Sequence, residues 1–348
     1  MRICIYGAGA IGGYLAAGLS TVDGIELSLV ARGPHLAAIQ KSGLRLLIGG
    51  EERVCKPRAT NDPAELGPQD YVIVCLKSHQ AWEAVDQMRP LLAEHTAVVT
   101  GQNGIPWWYP FGLDRRFAGV RLESVDPGGR QWSVIGPERA IGCVVYPATE
   151  IASPGVIRHV YGDKFSLGEP DGSRSARCGR LSHVLKAAGF DAPMLDDIRS
   201  EIWLKLWGNL CFNPISALTR ATLDVVTTQS ELRALCVRMM TEAEGVASQF
   251  GASFRVNIDK RINGAARVGA HRTSMLQDLE SGRPLEIDAL LTSVQEMGRY
   301  ADVATPYIDV VLGLIQQLGR SLRVYPTFAP AADAPLLPSH PATQTLHM

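Results

Sequence analysis

The segment from Met1 to Arg32 limits what this chain can become more than any other. A short apolar run, Ile3 to Tyr6, stops at Gly7-Ala8-Gly9-Ala10-Ile11-Gly12; an Ala/Leu-rich stretch follows, and a second apolar run covers Ile25 to Val30. That order predicts strand, tight turn, helix, strand. Within the turn the glycines have different duties. Gly7 permits the reversal, Gly9 lets backbone amides approach a pyrophosphate, and Gly12 lets the helix lie against the strand. The helix then offers unpaired N–H groups and the positive end of its dipole to phosphate oxygens. A glycine turn can also be plain structure, but one that follows a strand and opens a helix predicts dinucleotide contacts at Gly7, Ala8, Gly9, Ala10, Ile11 and Gly12.

The end of the second strand selects the dinucleotide. An NAD site usually places an acidic residue about 20 positions past the turn, where it accepts from the ribose hydroxyls. Here the residues are Val30-Ala31-Arg32. No carboxylate stands there to repel a 2′-phosphate, and Arg32 can pair with one in bidentate fashion. The expected cofactor is therefore NADP(H), against a solvated surface arginine as the plain alternative.

At 348 residues the chain exceeds the usual single-core size, so two domains are expected. The net charge of −1 gives no electrostatic reason to expect nucleic acid or an anionic membrane as partner. A small molecule is the expected partner. The seven cysteines are odd in number, scattered and without a Cys-x-x-Cys pair, which argues against a disulfide framework or a zinc site, so no metal is expected. With no secretory leader pattern either, a reducing cytoplasm is expected. The long apolar segment Ile202 to Leu218 carries Lys205, Asn209, Asn213 and Pro214, which suit a buried helix and not a membrane span.

Beyond the first βαβ unit, Pro34 to Lys41 predicts a helix, and Leu44 to Ile48, Gly49-Gly50 and Arg53 to Arg58 a hairpin. Tyr71 to Leu76 is a continuous apolar strand that runs into Lys77. Ligands of doubly wound sheets sit beyond the carboxyl ends of strands, so Lys77 can reach a cofactor phosphate or ribose; it reads equally well as a surface lysine. Ala97 to Thr100 is the next strand and ends in Gly101-Gln102-Asn103-Gly104. Asn103 there is either a contact for the nicotinamide end or substrate, or a turn residue. Pro106 to Phe111 is an aromatic cluster that suits either packing or a roof over the substrate site. Gly155 to Gly168 alternates like a hairpin, with His159 in it as a structural residue. Past Asp196 the pattern is almost wholly helical. The expectation is an α/β chain with an N-terminal Rossmann-type dinucleotide-binding domain (1–190), an all-helical C-terminal domain (197–325) and a disordered tail (326–348), with a cleft between the two domains.

The reducible group needs a donor to polarise it and protonate the forming alkoxide. Between Ile202 and Thr219 the single charge is Lys205, and Asn209 and Asn213 follow at four-residue steps. On a continuing helix these share one stripe, and burying an ammonium and two amides unpartnered would be costly, so the stripe should line a polar cleft. Burial would lower the lysine pKa and a nearby carboxylate would raise it, and spacing does not say which wins. A snorkelling core lysine with two capping asparagines is the plain alternative. Ser274 and Glu286 supply a second polar group, between which spacing does not choose; an acid at Glu286 also suits a helix start.

Taken together, Gly-Ala-Gly-Ala-Ile-Gly-Gly, Lys77, Gln102-Asn103-Gly104, Lys205-Leu-Trp-Gly-Asn209-Leu-Cys-Phe-Asn213-Pro214, Ser274-Met-Leu-Gln-Asp278 and Glu286 resemble the ketopantoate reductases, from Met1 to about Leu322. The resemblance implies Lys205 as general acid, Asn209 and Asn213 as substrate contacts, and Ser274 as donor to the substrate carboxylate. It further implies Glu286 as partner of the substrate hydroxyl and of Lys205, Asn103 as the bridge between cofactor and substrate, and NADPH-dependent reduction of 2-dehydropantoate to (R)-pantoate in pantothenate synthesis. The partner is then a small-molecule 2-oxo acid, with a homodimer as the candidate assembly. Pro106 to Arg139 departs from the family pattern in length and aromatic content. It keeps open a reductase of another branched or aromatic 2-oxo acid, and fold alone also leaves a non-catalytic NADP(H)-binding regulator.

Overall fold

The computed structural model describes residues 1–117 and 119–325, so the tail expected at 326–348 lies outside the described residues. Its strands are β1 (Arg2–Tyr6), β2 (Glu26–Val30), β3 (Leu44–Ile48), β4 (Glu51–Cys55), β5 (Arg58–Thr60), β6 (Tyr71–Val74), β7 (Ala97–Thr100), β8 (Ala140–Val145), β9 (Ala148–Ser153), β10 (Val156–Tyr161) and β11 (Phe165–Gly168). Seven of them form one sheet in the order β5-β2-β1-β6-β7-β8-β11, parallel except for β11 at the edge. The chain runs outward from β1 to β5, returns, and runs the other way from β6 to β8. The strand order therefore reverses between β1 and β6, where a doubly wound sheet opens its ligand crevice. Both the glycine turn after β1 and Lys77 after β6 lie at that point.

A second sheet, β4-β3-β10-β9, packs over helix Ala10–Leu19. Two expectations change here. The segment 155–168 is not a hairpin: β10 pairs with β9 and β3, whereas β11 crosses to the large sheet and pairs with β8. Alternation marks which side chains face inward, but not which strand is the neighbour. The predicted hairpin at 44–58 ends at Cys55, and Arg58–Thr60 joins the large sheet beside β2.

After residue 197 the described chain is helical. Ile198–Thr219 is one helix with Pro214 inside it, and it packs on β8, β11 and helices Ser230–Gln249, Ser274–Glu280 and Pro306–Ser321. One apolar core joins sheet residues such as Val98 and Val144 to Trp203, Leu206 and Trp207 of this helix. The other face of the sheet has its own core with helix Ala10–Leu19 and helix Ala176–Ala187. The border at 191–197 thus separates two topologies without separating their packing. No helix among the described residues is long and apolar enough to cross a membrane.

Candidate active site

The glycine turn has a different geometry at each glycine. Gly7 has φ +101, and a Cβ there would lie 2.7 Å from Leu76 Cδ2. A Cβ on Gly12 would lie 2.1 Å from the Gly7 carbonyl oxygen, whereas one on Gly9 would meet nothing within 4 Å. Gly12 is therefore bare for packing and Gly9 is bare towards open space, which is where a pyrophosphate has to approach. No side chain caps helix Ala10–Leu19 at Gly9, so its first-turn amides remain available to an anion. Ala8, Ala10 and Ile11 complete the turn. These features fit a dinucleotide. His35, which motif spacing did not single out, braces the turn: its Nδ1 accepts from Gly155 N at 3.0 Å, which leaves Nε2–H to donate to Ala8 O at 2.7 Å. Arg32 is exposed at the carboxyl end of β2, directly before helix Gly33–Ser42, and its side chain makes no hydrogen bond or ion pair among the described residues.

The opposite wall of the crevice is helix Ile198–Thr219, started by Asp197, whose Oδ1 accepts from Ser200 N at 2.9 Å. Its polar stripe is longer than three residues: Glu201, Lys205, Asn209 and Asn213 follow at four-residue steps. Lys205 Nζ donates to Asn103 Oδ1 at 2.6 Å and to the Val145 carbonyl. Asn103 also favours the charged form of the Glu286 carboxyl, so one amide at the end of β7 stands beside both the ammonium and the carboxyl. Lys205, Asn103, Gln102, Thr100, Cys143 and Ile202 line one small pocket. Burial pushes the Lys205 ammonium down to about 8, against the opposing pull of Cys143 and Glu286. Burial likewise holds the Glu286 carboxyl above its ordinary range, with the Lys77 ammonium opposing. The competition that spacing left open goes to desolvation.

Asn213 is 6% exposed and its Nδ2 donates to Ser274 Oγ at 3.4 Å. Asn209 is half-buried on the same stripe and makes no side-chain hydrogen bond among the described residues. Ser274 is exposed at the first turn of its helix, behind Thr273, whose Oγ1 accepts from Leu276 N at 3.3 Å. Lys77 turns towards the helical half: its Nζ meets Asp278 Oδ2 at 2.6 Å and Pro284 O at 2.8 Å. Its ammonium is thus engaged across the crevice. The two halves also touch at Gly104, φ +86, where a Cβ would lie 2.1 Å from Ala289 O. Backbone and side-chain contacts therefore gather Asn103, Lys205, Glu286, Lys77 and Asp278 in one place, with Asn213 and Ser274 as a second pair.

The aromatic cluster does not roof the cavity. Trp107, Trp108 and Tyr109 are buried in the shared core, where Trp108 Nε1 donates to Thr100 Oγ1 at 2.8 Å and Trp203 Nε1 to Tyr109 Oη at 2.7 Å. Tyr109 packs edge-on against Trp203 and Phe250, and Trp107 against Trp132. His159 stacks on Tyr14 at 4.8 Å and its Nε2 hydrogen-bonds Gly162 O at 2.6 Å, a structural arrangement as expected. Glu201 is, like His35, a residue that motif spacing does not single out; it is 2% exposed and carries several partners. Its signal in the sequence is its place one turn before Lys205 on the same stripe.

Comparison with known proteins gives the family. Residues 3–172 match the family described as "Ketopantoate reductase PanE/ApbA", and residues 197–319 match "Ketopantoate reductase PanE/ApbA C terminal". The chain is similar to a 2-dehydropantoate 2-reductase of Mesorhizobium japonicum, at 56% identity over 91% of this chain and 98% of the relative. A crystal structure from Ralstonia solanacearum MolK2 is similar at TM-score 0.89 and 40% identity, covering 93% of this chain and 99% of the other. The structure of a 2-dehydropantoate 2-reductase from Geobacter metallireducens GS-15 is similar at TM-score 0.78 and 28% identity, covering 91% and 100%. With its Rossmann-type half, its helical half and matches along nearly all of both, the chain belongs to the ketopantoate reductase family of oxidoreductases.

Proposed function

We propose that the protein reduces 2-dehydropantoate to (R)-pantoate with NADPH, as a step of pantothenate synthesis, and that Lys205 is the general acid. The observation that carries this is the cleft ammonium: Lys205 Nζ is held by Asn103 and the Val145 carbonyl beside Glu286, with its pKa lowered to about 8. A group titrating there is charged at neutral pH and still releases its proton readily, which suits it to protonating a forming alkoxide. A bound nicotinamide would supply the hydride. The first-turn amides at Gly9 to Gly12 would receive the pyrophosphate, and Arg32, without a side-chain partner among the described residues, the 2′-phosphate. Lys77 would join them by exchanging Asp278 for a cofactor oxygen.

Asn209, Asn213 and Ser274 would hold the substrate, with Ser274 donating to its carboxylate. Glu286 would accept from its hydroxyl, and Asn103 would bridge it to the cofactor while steadying Lys205. The segments 1–190 and 197–325 would then act as cofactor and substrate lobes, closing around the crevice. The Mesorhizobium relative, named for this substrate and alike over nearly its whole length, supports the substrate assignment. Burial of Trp107, Trp108 and Tyr109 removes the reason to favour an aromatic 2-oxo acid.

The test follows NADPH absorbance with 2-dehydropantoate and a panel of branched and aromatic 2-oxo acids. Saturable turnover is expected with 2-dehydropantoate, falling at least ~100-fold in Lys205→Ala, the usual scale of general acid catalysis. Turnover confined to other oxo acids would overturn the substrate, and tight NADPH binding without turnover would make the protein a regulator.

A further inference from the structure

Strand β8 ends at Val145, whose carbonyl accepts from Lys205 Nζ. The next residue, Tyr146, places its ring centroid 5.9 Å from the same ammonium. Its hydroxyl donates to Glu201 Oε1 at 2.7 Å. The other Glu201 oxygen receives Arg255 Nη1 at 2.6 Å, and Ser166 Oγ at 3.4 Å and Lys164 Nζ at 3.7 Å complete the surroundings of Oε1. A buried carboxylate is costly unless its lone pairs are filled, and this one is filled from both halves of the molecule. A phenol hydrogen-bonded to so constrained an acceptor has little freedom to turn.

Lysine, by contrast, has a flexible four-carbon stem and three equivalent donors. Two donors are taken, by Asn103 and by the Val145 carbonyl. For the remaining N–H to point at a reacting oxygen, those two acceptors and the ring beside them have to stay in register with the helix. The link that does this runs from Glu201, one turn before Lys205 on the same helix, through the Tyr146 hydroxyl to the end of β8.

We propose that Tyr146 is the positioning residue of the proton donor: anchored by its hydroxyl to Glu201, it holds the end of β8 and its own ring against Lys205, so that the third N–H of the ammonium is aimed into the cleft. This rests on Lys205 as the general acid. Tyr146 itself moves no proton.

The test uses the full chain with Tyr146→Phe, Tyr146→Leu, Glu201→Gln and Lys205→Ala, assayed with NADPH and 2-dehydropantoate from about pH 6 to about pH 10, a span that brackets the depressed lysine pKa. Tyr146→Phe keeps the ring and loses the tether. Its kcat should fall about 10- to 100-fold, the scale of a small misplacement of a catalytic group. Its KM for NADPH should stay within about twofold, because cofactor binding is untouched. Tyr146→Leu should lose as much and also move the basic limb of the kcat profile upward, since water then reaches the ammonium and relieves its desolvation. Glu201→Gln should lower kcat in the same direction, and it decides the matter if the tyrosine variants do not fold. A purely structural tyrosine would change thermal stability and leave the split between kcat and KM and the basic limb alone. Native kcat and limb in folded Tyr146→Phe, or in Glu201→Gln where that variant decides, overturn the proposal if Lys205→Ala is inactive. Native kcat in Lys205→Ala would instead overturn the role of Lys205, and with it the proposal.

Discussion

At the scale of single residues, the three glycines of the turn make separable predictions. Gly9 faces open space and its conformation is extended, so alanine fits the fold there. Gly9→Ala should leave the denaturant midpoint nearly unchanged while weakening NADPH binding about tenfold or more, on the order of 1.4 kcal/mol. Gly12→Ala is the converse, because its Cβ would sit 2.1 Å from the Gly7 carbonyl. It should lower stability by about 3 kcal/mol, the upper range for overpacking. Fluorescence titration of NADPH beside urea unfolding measures both. Arg32 gives a third prediction: Arg32→Ala should cost NADPH about 1.5–3 kcal/mol, the range for a charge-assisted hydrogen bond, and leave NADH almost as before. Comparison of KM for the two cofactors checks it; an unchanged preference would put the 2′-phosphate elsewhere.

Elements show where the sequence was legible and where it was not. Strand β1, its glycine turn and the following helix could be read directly, because Gly7 and Gly12 are bare for steric reasons and Gly9 leaves open space at the helix start. The stripe of Lys205, Asn209 and Asn213 was legible too, since helical spacing alone sets those residues on one face. Glu201 escaped because a charge near a helix start has an ordinary explanation in the helix dipole, and only tertiary contacts with Tyr146 and Arg255 show it to be buried. The false hairpin at 155–168 and the aromatic cluster failed for a related reason. Alternation and aromatic content report burial without naming the partner, and the partners here are β9, β8, Trp203 and Phe250. Gly104 is a close contact between the loop after β7 and the helical turn Asp288–Thr292. Its positive φ and the nearness of Ala289 O predict that Gly104→Ala is strained and overlapped at once, destabilising by about 3 kcal/mol. Because Asn103 precedes it, kcat should fall more than NADPH affinity, which steady-state assay and cofactor titration together would show.

The whole molecule sets the proton affinity of Lys205. The sheet supplies Asn103, Val145 and Cys143, and the helical half supplies Lys205 and Glu286; none of these lies close to its partners in the chain. Their convergence removes water from the ammonium, and removal of water outweighs the attraction of the carboxyl, so the pKa falls from 10.5 to about 8. In the proposed reaction the protonated form of Lys205 is the active donor. Depression of the pKa therefore moves the upper limit of reductase activity downward: kcat should be level below the depressed value and decline as pH rises through it. The most direct measurement is the pH profile of kcat for 2-dehydropantoate reduction in the native protein and in Lys205→Ala. A decline centred near the lowered pKa of about 8, absent from a variant slowed at least ~100-fold, is the predicted result. A Lys205→Ala protein with native kcat and the same decline would contradict it.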